Sequence, residues 1–134
     1  MTKLLLGQPG SGKTKEMIKH ANSALETAKG NIVFIGESKE CILEINHDIR
    51  HVNIREFPLE SSNGVIGFLH GMISNNYDIE SIYIDGITNL FIMTPEEICA
   101  WLDKIKVIAD KHKIKFEISI SHSGDTPDCF KPYL

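Results

Sequence analysis

Short apolar runs alternate along the chain with longer stretches in which apolar residues recur every three or four positions. The runs at residues 31–35 and 81–84 are continuous and apolar, as expected of strands that are buried on both faces, whereas the run at 52–57 alternates. The short runs predict five strands, at residues 3–6, 31–35, 52–57, 81–84 and 115–120.

The longer stretches predict four helices, at residues 13–28, 38–45, the stretch after 61–63, and 95–112. The second of these begins at the N-cap Ser38 and turns three apolar side chains inward: Cys41, Ile42 and Ile45. The fourth has the clearest start, because Thr94 supplies an N-cap, Pro95 the first helical position and Glu97 the glutamate three residues after the cap. The tail, residues 121–134, contains two prolines and one glycine and is predicted to be irregular.

This alternation of strand and helix predicts an α/β fold. Helical crossovers between strands favour a three-layer α/β/α sandwich around a mainly parallel five-stranded sheet. A length of 134 residues suits one compact domain, so residues 1–134 are expected to form a single unit.

Composition and charge argue against several classes of protein. The net charge of −4 argues against a general nucleic-acid binder, so a nucleic acid is expected only as an indirect partner. No apolar run approaches the ~20 residues of a membrane span, and the run at residues 3–6 is too short for a signal peptide, so Met1 reads as a natural start of a cytoplasmic protein. The cysteines (Cys41, Cys99 and Cys129) show no CxxC spacing and are expected to be buried or partly buried, without a disulfide framework.

The strongest chemical signal lies between the first predicted strand and the first predicted helix. Eight residues match the pattern GxxxxGK[ST] at every position: Gly7, Gln8, Pro9, Gly10, Ser11, Gly12, Lys13 and Thr14. In such a P-loop the backbone N–H groups cradle phosphates, the lysine reaches the β- and γ-phosphates and the hydroxyl binds Mg²⁺. The motif therefore predicts a site for ATP, or another nucleoside triphosphate, with Mg²⁺. A glycine-rich turn without a ligand is the alternative.

Two acidic residues follow predicted strands and would emerge at the same edge of the sheet. Asp85 is expected to serve the Mg²⁺ shell together with Thr14; the alternative is a turn aspartate in Asp85-Gly86. Glu37 is the candidate for placing an attacking water, since Gly86 stands where glutamate often follows such an aspartate. A solvated acid in the first turn of the next helix is the alternative for Glu37.

The last predicted strand ends in small polar residues. Ser121 is expected to contact the γ-phosphate, and Ser119 is an unusual residue inside an apolar strand. His122 is expected to be an ordinary loop histidine. The remaining histidines show no metal-ligand spacing: His20, His47, His51, His70 and His112.

Taken together, the motif, Glu37 after Ile35-Gly36 and Asp85 after Ile82-Tyr83-Ile84 resemble the RecA-like branch of P-loop ATPases over about residues 3–122. The resemblance implies that Glu37 polarises water, that Asp85 serves the Mg²⁺ shell, and that the last strand lies between the first strand and the strand preceding Asp85. Members of this branch that act on DNA carry DNA-binding loops, further strands and an arginine finger. This chain shows no strand after Ser121, and its only arginines, Arg50 and Arg55, could be fingers for a neighbouring subunit or plain surface charges.

Three functions fit these features. The first is a small Mg²⁺-dependent ATPase, with Lys13, Glu37 and Asp85 as its catalytic residues, acting as a switch or accessory subunit. An arginine from a homo-oligomer or a protein partner would speed its turnover. The second is a non-catalytic nucleotide-binding module. The third is a small nucleotide or metabolite kinase, with an acceptor pocket near Glu37 and the two arginines.

Overall fold

The structure, a computed structural model, describes residues 1–37 and 43–134. Its elements in chain order are β1 (Thr2–Gly7), α1 (Lys13–Leu25), β2 (Asn31–Gly36), β3 (Arg50–Asn53), a 3₁₀-helix (Ile54–Glu56), α2 (Ser62–Asn75), β4 (Ile79–Ile84), α3 (Ile87–Leu90), α4 (Pro95–His112), β5 (Lys115–Ser121) and a second 3₁₀-helix (Asp128–Tyr133). Part of the predicted helix at 38–45 lies outside the described residues. That part includes its predicted cap, Ser38, and two of its predicted inward residues, Cys41 and Ile42.

The five strands form one sheet in the order β1-β5-β4-β2-β3, and every pair of neighbours is parallel. The prediction of an α/β fold with a parallel five-stranded sheet is confirmed, and β5 lies between β1 and β4 as the resemblance implied. Because parallel strands end at the same edge, the segments after β1, β2, β4 and β5 meet there. This edge is where the candidate residues were expected.

Helices cover both faces of the sheet. Successive strand residues point to opposite faces, and the buried side chains accordingly form two clusters. One joins α1 to the sheet through Met17, Ile18, Ala21, Ile32, Phe34 and Tyr83. The other joins α2 and α4 to the opposite face, with Ile35, Leu69, Ile84, Leu102, Phe116 and Ile118 among its members. The arrangement is compatible with the predicted three-layer sandwich.

Local hydrogen bonds explain where α4 begins. The Glu97 N–H donates to Thr94 Oγ1, and the Thr94 N–H donates to Glu97 Oε1, each at 3.2 Å. This capping box, with Pro95 at the start of the helix, confirms the predicted start. Within residues 1–37 and 43–134, no helix is long and apolar enough to cross a membrane.

Two element boundaries differ from the prediction. The strand expected at 52–57 ends at Asn53, because the Asn53 side chain accepts the Arg55 N–H (3.1 Å) and starts a 3₁₀-helix. The helix expected to reach residue 28 ends at Leu25. After it, Thr27 and Ala28 donate to carbonyl oxygens three residues earlier, which tightens the chain into a turn.

The tail and two cysteines also depart from the prediction. The tail expected to be irregular contains the second 3₁₀-helix, which buries Phe130 and Tyr133. It returns to the beginning of α4, where Cys99 and Cys129 form a disulfide. The expectation that no disulfide forms was therefore wrong for this pair, because the path of the tail brings together residues whose spacing carries no signal. Cys99 is buried, as expected, whereas Cys129 is exposed. Cys41 lies outside the described residues.

Candidate functional site

The glycine-rich segment forms a tight loop between β1 and α1. Gly12 precedes the first residue of α1 with a φ of 87°, a left-handed conformation that side chains other than glycine rarely adopt. The Lys13 ammonium folds back across the loop and donates to the Gln8 carbonyl oxygen (2.7 Å). Burial lowers the pKa of Lys13, while the negative charge of Asp85 acts in the opposite direction. A phosphate in the loop would compete with the Gln8 carbonyl for the ammonium.

Asp85 lies directly after β4 and faces this loop. The Thr14 hydroxyl donates to Asp85 Oδ2 at 2.8 Å, and the Ser119 hydroxyl donates to Oδ1 at 2.6 Å. The Asp85 N–H donates to the Ile35 carbonyl oxygen (2.8 Å), which ties the backbone to β2. Asp85 is 7% exposed. Both carboxylate oxygens of a buried acid are therefore satisfied by hydroxyl donors and held in place.

Ser119 has a part in the site that sequence reasoning did not assign. Besides donating to Asp85, its oxygen accepts the Gly86 N–H at 3.2 Å. It is 2% exposed and sits in the strand between β1 and β4. Its signal in the sequence was a small polar residue inside an apolar strand.

A cavity of about 430 Å³ opens at this edge of the sheet. It is lined by residues 9–15 of the loop and α1, and by Asp85, Gly86, Asn89, Ser119 and Ser121. A larger cavity, of about 610 Å³, opens at the other edge beside Met1, Ser81 and Lys115. None of the described candidate residues lines the larger cavity. The smaller cavity is therefore the one at which the predicted loop residues, Asp85 and Ser121 lie together.

Ser121 lines the cavity, and its backbone N–H donates to Thr88 Oγ1 (3.2 Å). The next residue, His122, points into its own loop. Its ring Nε2 lies 2.9 Å from the Asp125 carbonyl oxygen, and the ring packs edge-on against Phe130. His122 is thus a loop histidine, as expected.

Glu37 reaches the rim of the cavity and does not line it. It follows β2 directly, and its Oε2 is bound by Nε of Arg55. Its Oε1 lies 3.9 Å from the position that a β-carbon would occupy at Gly86. Arg55, whose side chain is 59% exposed, is therefore a surface arginine paired with an acid of its own chain. Arg50 begins the edge strand β3.

Asn89 is a lining residue to which the sequence analysis gave no role. The short helix α3 starts after Gly86, whose φ is 82°, and the Asn89 N–H donates to the Gly86 carbonyl oxygen (3.0 Å). This turn brings Asn89 Nδ2 to 3.5 Å from the β-carbon position at Gly86. Nothing in the local pattern marks Asn89, because its place depends on how α3 folds back over the strand end.

The oxygen donors present are of the kind that Mg²⁺ prefers. Thr14 and Asp85 offer a hydroxyl and a carboxylate within hydrogen-bonding distance of each other. Magnesium sites of this type use one or two side chains and complete their octahedron with water and phosphate oxygens. The residues present fit such an ion next to a phosphate in the loop.

No protein-family model matches the chain, and no curated protein matches it either. The residues at this edge of the sheet are therefore the basis for inferring a function.

Proposed function

We propose that this chain is a P-loop nucleotide-binding protein that binds ATP, or another nucleoside triphosphate, with Mg²⁺ and hydrolyses the γ-phosphate. The observation that carries the proposal is the contact between Thr14 and Asp85, 2.8 Å apart and 71 positions apart in sequence. It joins a hydroxyl of the GxxxxGK[ST] loop to a buried strand-end carboxylate beside Lys13. The hydroxyl and the carboxylate are thus close enough to contact one cation beside the loop.

In this proposal the loop and the residues beside it bind different parts of the nucleotide–Mg²⁺ complex. The N–H groups at the start of α1 and the Lys13 ammonium hold the β- and γ-phosphates. Thr14 and Asp85 hold Mg²⁺, and Ser119 keeps the Asp85 carboxylate oriented. Bound Mg²⁺ supplies positive charge to the phosphate oxygens, where negative charge develops as the reaction proceeds.

Hydrolysis is an in-line attack of water on the γ-phosphorus. The new P–O bond forms as the bond to the β–γ bridging oxygen breaks, and the nucleoside diphosphate leaves with that electron pair. Glu37 Oε1 accepts a hydrogen bond from the water and takes up its proton, which then passes to the phosphate released. Lys13 stabilises the charge on the transferred group.

The RecA-like resemblance implies that the chain works together with a second copy of itself or with a protein partner. The order β1-β5-β4 agrees with that branch. An arginine from a second copy or a protein partner would raise turnover roughly 10³- to 10⁵-fold, so the isolated chain is expected to be slow. The protein would then act as a switch or an accessory subunit.

A non-catalytic nucleotide-binding module is the second candidate, and one observation favours it. The carboxylate expected to place the water is paired with Arg55 at the rim of the cavity and does not line it. In that case the nucleotide would act by binding one conformation of the chain better than another.

The test combines phosphate release from ATP–Mg²⁺ with thermal melting of the same samples. We expect slow release and an increase in melting temperature, both lost in Lys13→Ala. The matched control is Lys19→Ala, an exposed lysine further along α1, which should behave as wild type.

The outcomes separate the candidates. A melting shift without release supports the binding module, unless adding phosphate acceptors produces transfer, which would indicate a kinase. Identical melting of wild type and Lys13→Ala over a full ATP–Mg²⁺ titration would contradict nucleotide binding at this loop.

A further inference from the structure

Two side chains from different parts of the chain lie close to Gly86. Asn89 Nδ2 lies 3.5 Å from the β-carbon position of Gly86, and Glu37 Oε1 lies 3.9 Å from the same point. The two atoms are therefore at most about 7.4 Å apart. One water with hydrogen bonds of about 3 Å on either side joins atoms up to about 6 Å apart, so a small side-chain rotation is enough for it to reach both. A β-carbon at position 86 would contact both side chains.

The convergence depends on the backbone at Gly86. Its φ of 82° starts α3, and its carbonyl oxygen accepts the Asn89 N–H. Its own N–H is held by Ser119, which also binds Asp85. The position of Asn89 is thus tied through a few hydrogen bonds to the carboxylate proposed to hold Mg²⁺.

The two carboxylate oxygens of Glu37 have different neighbours. Arg55 Nε binds Oε2, which leaves Oε1 on the side of Gly86. Asn89 is exposed and lines the cavity that contains the loop. The pair therefore lies at the boundary between the cavity and its rim.

We propose that Asn89 is a catalytic residue that holds the attacking water together with Glu37; this rests on the proposed ATPase function. The Asn89 amide Nδ2, the atom that lies near Gly86, can donate a hydrogen bond to the oxygen of the water. Glu37 Oε1 accepts one hydrogen of the same water. These two hydrogen bonds fix the water and leave its second lone pair free to attack the phosphorus. Carboxamides orient the attacking water in some P-loop GTPases.

The test compares wild type, Asn89→Ala, Glu37→Gln and the double variant. For each, kcat and KM for ATP–Mg²⁺ are measured, together with the Kd of a non-hydrolysable ATP analogue. We expect Asn89→Ala to lower kcat about 10²-fold and to change the Kd less than about threefold. The double variant should be no slower than Glu37→Gln alone, because both residues act on one water.

Asn75→Ala is the matched control, since it removes an exposed asparagine at the end of α2. It should retain wild-type kcat, and all variants should melt within a few degrees of wild type. Wild-type kcat in Asn89→Ala would overturn the role of Asn89 while leaving the ATPase in place. A weaker Kd with unchanged kcat would do the same. Wild type without any turnover would overturn both proposals.

Discussion

Arg55 binds one carboxylate oxygen of Glu37, and the other oxygen of that group faces Gly86. The arginine lies in the 3₁₀-helix after β3, and the glutamate follows the neighbouring strand β2. The ion pair thus orients Glu37, the side chain predicted from the sequence to place the attacking water.

Arg55→Ala should lower kcat roughly 10- to 100-fold, because an unrestrained Glu37 carboxylate no longer holds Oε1 toward Gly86. Nucleotide affinity should stay the same, and the free energy of unfolding should fall by less than about 1 kcal/mol, since the pair is partly exposed. Arg55→Lys should recover part of the loss. Steady-state kinetics with Arg50→Ala as control would check this, and equal effects of the two alanine substitutions would exclude a specific role for Arg55.

Ser119→Ala should weaken the hold on the Asp85 carboxylate. It removes the donor to the buried Asp85 Oδ1 and leaves the partly buried Gly86 N–H without its acceptor, at a cost of about 1–3 kcal/mol in the free energy of unfolding. The Mg²⁺ dependence of nucleotide binding should weaken, because the carboxylate is less well held. Urea unfolding and binding titrations with and without Mg²⁺ would measure both effects. Ser81→Ala, another buried serine of the sheet, should leave the Mg²⁺ dependence as in wild type.

Gly86→Ala tests the backbone that brings Glu37 and Asn89 together. The φ of 82° should make alanine unfavourable by about 1–2 kcal/mol, while the new methyl group would touch Asn89 and Glu37 at ordinary contact distances. We expect a folded protein of lower stability and lower turnover. Gly67→Ala in α2 adds a methyl group in open space and should be neutral or raise stability by up to about 1 kcal/mol. Equal stability of the two variants would contradict the strain at Gly86.

Reduction of the Cys99–Cys129 disulfide should lower the free energy of unfolding. The bond joins residues 30 positions apart and ties the tail to α4, and closing a loop of this size stabilises a protein by about 2–4 kcal/mol. Urea unfolding with and without dithiothreitol measures the difference. A Cys99→Ser/Cys129→Ser variant should be indifferent to the reductant. Three reactive thiols in the unreduced, denatured wild type would show that the bond does not form.

Stability should also fall between pH 10 and pH 12. Burial, and then the charges of Glu117 and Glu80, raise the pKa of Tyr83 from its ordinary value near 10 to about 12. In this window the unfolded chain loses the phenol proton and the folded chain keeps it. The stabilisation is therefore complete below pH 10 and is lost as the pH rises through 12, by roughly 2–3 kcal/mol.

Tyr83→Phe should reduce this loss. Part of it should remain, because burial and the hydrogen bond to Asp103 also raise the pKa of Tyr133 to about 12. Tyr77→Phe is the control, since Tyr77 is 91% exposed. Denaturant unfolding at pH 9, 10, 11 and 12 would give the profile, and an equal slope for wild type and Tyr83→Phe would contradict the assignment.

Much of the fold and part of the candidate site could be predicted from local pattern. Apolar periodicity located all five strands, and the Thr94 capping box marked the start of α4. Boundaries failed where a side chain competed with the backbone pattern, as Asn53 does at the end of β3. The tail could not be predicted, because Phe130 and Cys129 carry no periodic signal and take their places only by packing against distant elements.

The sequence by itself determined the α/β class and the loop at residues 7–14, because periodicity and motif spacing act over a few neighbouring positions. Only the tertiary structure decided that Asp85 contacts Ser119 and that Glu37 contacts Arg55. The same is true of the position of Asn89 beside Gly86. These depend on which strands lie side by side and on how each chain segment turns at the edge of the sheet. That choice is made by the packing of α1 on one face and of α2 and α4 on the other, which no local stretch of the chain contains.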